Sequence, residues 1–153
     1  MREVILDTNI FTLFLIGQID PLKIPKNRRT SVYKTEHYEF LIDMLKKFDT
    51  ILFCPNIATE VDNLLNDNLI GDDRIKYLSL TKDIFSKSIE KYLETKDVIR
   101  DWHYDSIGIT DTAIINMAKN CDLLISGDSQ LCDFAKAEGI NVFDFKEYIN
   151  SFI

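Results

Sequence analysis

Four short apolar runs constrain this chain most, because each is too short for a helix and is followed by helical spacing. Residues 3–6, Thr50 to Cys54, Leu123 to Ile125 and Ile140 to Phe143 read as strands. Between them lie helical stretches: Asn9 to Gly17, closed by Gly17, and Lys34 to Phe48, where Tyr38, Leu41, Ile42, Leu45 and Phe48 recur on one face. Pro55 suits the first turn of a third helix with Ile57, Val61, Leu64 and Leu65 as its stripe. Residues 71–100 are compatible with one or two helices, and Thr110-Asp111 reads as a helix entry. Further helices are expected over 129–137, ended by Gly139, and over 145–151, while 18–33 reads as a loop. Apolar strands alternating with helices stack as a parallel sheet covered on both faces. The expectation is a three-layer α/β/α fold with a central parallel sheet of four or five strands, spanning 1–153 as one domain.

Composition removes several function classes. Hydrophobic residues make up 46% and charged residues 28%, which are globular rather than disordered values. No run approaches the roughly 20 apolar residues that span a bilayer, and the opening apolar run is too short for a signal peptide. A cytoplasmic location is therefore expected, with no membrane partner. Cys54, Cys121 and Cys132 are odd in number and widely spaced, so neither a disulfide frame nor a zinc site is expected. With only His37 and His103 besides, nitrogen- and sulfur-based metal chemistry is excluded.

The net charge of −7 disfavours general phosphate-backbone binding. Any attraction for nucleic acid must be local. One candidate is the basic stretch Lys23, Lys26, Arg28, Arg29 and Lys34, which has no acid between Asp20 and Glu36. The reading of that stretch as a solvated loop is comparably weighted. Tyr33 and Trp102 could stack on bases, although lone aromatics more often belong to the core or an interface.

Four acids carry the sharper signal. In open parallel sheets, ligands bind beyond the carboxyl ends of the strands. Asp7 closes the first strand, and Asp128 follows the third after Ser126 and Gly127. Glu60 lies in the helix after the second strand, between Ile57 and Leu64, bordering the buried stripe. Asp111 begins the helix that leads into the third strand. Asp111 and Asp128 have plain helix caps as their lesser reading, and a cap can also be a ligand; Asp133, Asp105 and Asp101 read as surface charge. Two like charges about 4 Å apart repel by roughly 4 kcal/mol at an effective dielectric near 20. Mg²⁺ or Mn²⁺, which prefer carboxylate oxygen, would remove that repulsion. Phosphodiester hydrolysis is the chemistry that suits such an oxygen-only set.

Asp7-Thr8-Asn9, Glu60 within Pro-Asn-Ile-Ala-Thr-Glu-Val, Thr110-Asp111-Thr-Ala and Ser126-Gly127-Asp128 stand in the order of four acidic motifs. In this the chain resembles the PIN-domain family over nearly its whole length, most weakly over 18–35 and 66–105. The resemblance implies an Mg²⁺- or Mn²⁺-dependent endoribonuclease, as in toxin–antitoxin ribonucleases of that fold. Asp7, Asp111 and Asp128 would then be principal metal ligands, with Glu60 a ligand or an orienter of bound water. Asn9 and Ser126 would hold the carboxylates in place, and Lys26, Arg28 and Arg29 would contact the substrate. It further implies RNA as substrate, and leaves room for an antitoxin-like inhibitor and a homodimer. The rival is a catalytically inactive PIN-like binding or scaffold module. Other chemistries lack their motifs: Asn9 stands where a haloacid-dehalogenase pattern needs Asp, the second strand ends at Cys54-Pro55 instead of a receiver's acceptor Asp, and GxxxxGK[ST], GxGxxG and GxSxG are absent.

Overall fold

In the computed structural model, residues 1–151 are described. Their elements follow the expected alternation: β1 (Glu3–Leu6), α1 (Thr8–Ile19), a 3₁₀ helix (Pro21–Lys26), α2 (Thr35–Leu45), β2 (Thr50–Phe53), α3 (Pro55–Leu65) and α4 (Gly71–Lys87). The second half adds β3 (Ile89–Glu90), α5 (Thr95–Val98), α6 (Tyr104–Ala118), β4 (Leu123–Ser126), α7 (Ser129–Ala137), β5 (Val142–Asp144) and α8 (Phe145–Asn150).

The strands form one sheet in the order β3-β2-β1-β4-β5, and every pairing is parallel. Helices cover both faces, giving the three-layer α/β/α arrangement. The order runs outward from β1 in both directions, so the chain changes direction across the β1/β4 pair. That change places a crevice at the carboxyl ends of the two central strands. Register there is set by Val4 opposite Leu123, Ile5 opposite Leu124 and Leu6 opposite Ile125. These side chains, except the half-buried Leu123, are fully enclosed, and Phe11, Leu13, Ile57, Ile114 and Leu131 from the flanking helices pack in the same core.

Three departures from the sequence reading have physical causes. β3 lies inside the 71–100 region expected to be helical. It has only two residues and pairs at the sheet edge with Leu52 and Phe53, so it carries too little pattern to be seen. α1 does not stop at Gly17 but runs to Ile19. Gly17 serves close packing instead, because a Cβ there would collide with the ring of Tyr38 on α2. The expected loop after α1 contains the 3₁₀ helix, whose first turn is capped where Asp20 accepts from Leu22 N at 3.0 Å.

α6 begins six residues before the expected entry at Thr110, but it is broken at Gly108, whose φ of 79° lies outside the helical range. Only glycine adopts that conformation without strain. The break starts a fresh helical segment just ahead of Asp111, so the predicted entry is right for that segment. All three cysteines are free, with Cys54 and Cys132 buried. No helix among the described residues is long and apolar enough to cross a membrane.

Candidate functional site

Asp7 and Asp128 are joined through Ser126 at the carboxyl ends of β1 and β4. Asp7 is 3% exposed and caps α1, its Oδ1 accepting from Ile10 N at 2.9 Å. Its Oδ2 accepts from Ser126 Oγ at 2.5 Å and from Gly127 N at 3.1 Å. Ser126 Oγ in turn accepts from Asp128 N at 3.0 Å. Asp128 caps α7 through Oδ1, which accepts from Leu131 N at 3.0 Å. The expected cap role of Asp128 is therefore real, and it coexists with a place in the cluster. Burial pushes the Asp7 carboxyl up to about 6, against the pull of its three hydrogen bonds and with the help of the Asp128 charge.

Asp111 differs from both. Among the described residues no donor reaches its carboxylate, so it is not a helix cap. Burial pushes it up to about 7, with further contributions from Asp7, Asp128 and Glu60 in that order. The four acids thus share one electrostatic neighbourhood, although they come from four different parallel-strand connections. Glu60 lies at its margin. It is exposed, correcting the reading that it borders buried surface, and its Oε1 accepts from Thr8 Oγ1 at 2.8 Å. That bond ties α3 to the residue next to Asp7.

None of the four forms an ion pair with Lys, Arg or His among the described residues. Their charges are not spent on internal partners. No three His, Cys, Asp or Glu side chains among the described residues stand within common reach of one ion. The donor set is oxygen only and without a counter-cation, the chemistry that hard divalent ions of the Mg²⁺ or Mn²⁺ type prefer, but as they stand the four acids do not form a group that could hold an ion.

The supporting residues divide. Ser126 does what the sequence suggested, orienting Asp7 and holding the backbone of Asp128. Asn9 does not: it is exposed and its side chain hydrogen-bonds to neither carboxylate, because Gly127 N and Ile10 N already fill that role. The basic stretch also splits. Lys23 pairs with Asp73, and Lys26 lines a separate groove with Ile70 and Asp73, away from the acids. Arg28 is exposed and touches none of the four acids. Arg29 alone borders the site, through a groove that also contains Asn9 and Gly127.

Two aromatic expectations resolve as well. Tyr33 is buried edge-on against Phe145, and burial with the nearby Asp7 charge pushes its hydroxyl up to about 12. Trp102 is exposed and stacks on His103 at 3.8 Å. Asp133 and Asp105 are exposed, as expected of surface charge. Asp101 is not surface charge. Although desolvation opposes it, hydrogen bonds from the backbone and ring of His103 hold its carboxyl below the usual range. The ring's Nε2 lies 3.3 Å from Glu138 Oε1 without hydrogen-bond alignment. Nothing in a lone Asp-Trp-His triplet announces such an enclosed histidine.

No family model matches the chain, and no curated protein matches it. Among solved structures, it is similar to a domain of a functionally unknown protein from Methanocaldococcus jannaschii DSM 2661. The match has 18% identity and covers 94% of this chain and 91% of that one, with a TM-score of 0.48.

Proposed function

We propose that this protein is a divalent-metal-dependent endoribonuclease of PIN-like type, hydrolysing RNA phosphodiesters at the rim formed by Asp7, Glu60, Asp111 and Asp128. The observation that carries the proposal is a carboxylate group at the crevice of the two central strands with no positive residue paired to any member. Like charges left without a counter-ion cost stability, and Asp111, to whose carboxylate no donor reaches among the described residues, has no structural role that an amide would not fill.

Asp7, Asp111 and Asp128 would hold the ion, with Glu60 at the open side. A bound Mg²⁺ or Mn²⁺ would supply Lewis acidity toward a phosphoryl oxygen and lower the pKa of a water. The chain's own residues do the rest. Ser126 fixes the direction of the Asp7 carboxylate, and the two caps at Ile10 and Leu131 hold Asp7 and Asp128 against rotation. Asp111, to which no donor reaches, can move toward an ion, and Glu60 at the open side can accept a proton from attacking water.

Purified protein is expected to cleave RNA with Mg²⁺ or Mn²⁺ and to lose that activity in Asp111→Asn. Cleavage that survives EDTA would refute the mechanism. Metal binding without any hydrolysis would favour the binding or scaffold module. An antitoxin-like inhibitor and a homodimer belong to the same proposal as accompanying partners.

A further inference from the structure

A groove of about 410 Å³ opens beside the carboxylates, lined among others by Asn9, Arg29, Val32, Tyr33, Gly127 and Lys146. Its volume is near the lower end of small-ligand sites, which run from about 300 to 1,000 Å³. None of the four acids lines it, but two of its residues tie it to Asp7: Asn9 follows Asp7 by two residues, and Gly127 donates to Asp7 Oδ2. Arg29 and Lys146 are both exposed, and neither forms an ion pair among the described residues. In a chain of net charge −7, two unspent cations facing one groove are a local reversal of sign.

The remaining lining has mixed chemistry. Val32 is 75% exposed and gives apolar surface, while Asn9 offers an amide that the carboxylates do not use. Gly127 keeps the floor open, because a Cβ there would meet the Tyr33 hydroxyl at 3.0 Å. A nucleotide has matching parts: a phosphate for the cations, an apolar base face, and polar base edges.

We infer that this groove is a nucleotide subsite for single-stranded RNA, with Arg29 and Lys146 contacting the phosphate next to the one attacked at the carboxylates. The inference rests on the nuclease reading, and it assigns a substrate-binding role to α8 and to Lys146. It also reassigns Asn9 from carboxylate support to substrate contact. Base edges reach a groove of this size only when they are unpaired, so a single strand is the substrate form selected.

The test is binding of a fluorescent single-stranded oligoribonucleotide in Ca²⁺, followed by anisotropy across a salt series. Each phosphate contact on a single strand contributes about 0.7 to the slope of log affinity against log salt. Arg29→Gln and Lys146→Gln should each lower affinity, and the double variant should lower the slope by about 0.7, the loss of one neutralised phosphate, with affinity reduced at least tenfold. Unchanged slopes and affinities in both single variants would overturn the inference. So would a failure of the unaltered protein to bind, or equal dependence for an RNA duplex of the same length. Mn²⁺-dependent hydrolysis of bis(p-nitrophenyl) phosphate by the unaltered protein, against Asp111→Asn, reports the carboxylates separately. Groove-dependent binding without that hydrolysis would sink the nuclease reading and leave the subsite standing.

Discussion

Replacing Asp111 by Asn should make the metal-free protein more stable, which is the reverse of what most substitutions at a half-buried polar position do. The carboxyl is held from its ordinary 3.8 up to about 7, so ionising it in the folded state costs roughly 4 kcal/mol relative to the unfolded chain. Solvent reaches part of the side chain and screens the repulsion, which leaves about 2 kcal/mol. For a chain of this size that is a gain of roughly 4–8 °C in Tm for Asp111→Asn at pH 8 in EDTA. The amide keeps the shape, and no hydrogen bond to the carboxylate is lost.

The pH dependence follows from linkage. Between the unfolded and folded values the native state holds the extra proton, so the wild-type protein loses stability as pH rises from about 4 through 7. The advantage of the variant should therefore shrink to about a third at pH 5 and vanish near pH 4. Metal inverts the order. If the carboxylates hold metal as proposed, Mn²⁺ at a hundredfold excess over Kd should stabilise the wild-type protein by about 2.7 kcal/mol, while the variant gains little. Differential scanning calorimetry at pH 4, 5 and 8, with EDTA or Mn²⁺, reads all of this. A variant less stable than wild type in EDTA at pH 8, or equally stabilised by Mn²⁺, would refute the reasoning.

Ser126→Ala should cost about 1–3 kcal/mol, because it removes the donor to Asp7 and the acceptor for Asp128 N from an enclosed position. It should also weaken Mn²⁺ binding by roughly 10- to 100-fold, read by titration calorimetry, whereas an unchanged affinity would mean that the hydroxyl does not orient the carboxylate. Gly17→Ala should destabilise by about 1–3 kcal/mol in denaturant unfolding, since the methyl meets the Tyr38 ring. A stabilised variant would show that helix propensity, worth about 1 kcal/mol in favour of Ala, outweighs that contact.

The central strands were legible because each packs an apolar run into the core and ends at a polar residue. Three of the four acids could be placed at one edge for the same reason: a strand end or a helix start fixes where the side chain begins. Glu60 was legible only as a helical position, since a stripe read at 3.6-residue period does not say how far its flank is covered. β3 escaped because two residues carry no period. The split of the basic stretch escaped too, because charge counting sees five cations but not the 3₁₀ helix that sets Lys23 and Lys26 beside Asp73. Lys146 stood among ordinary surface lysines until the groove placed it beside Arg29. Asn9 shows the opposite limit, a motif position whose neighbours had already been satisfied by backbone amides.

The clasp between Ser126 and Asp7 also reports on how the molecule was assembled. Successive strand residues face opposite sides, so sliding β4 by one position against β1 would turn the serine hydroxyl away from its acceptor. A mispaired sheet would leave an enclosed carboxylate with no hydroxyl to meet it. The same bond that aims the acid thereby penalises the wrong alignment, and chains that close the sheet incorrectly cannot form it.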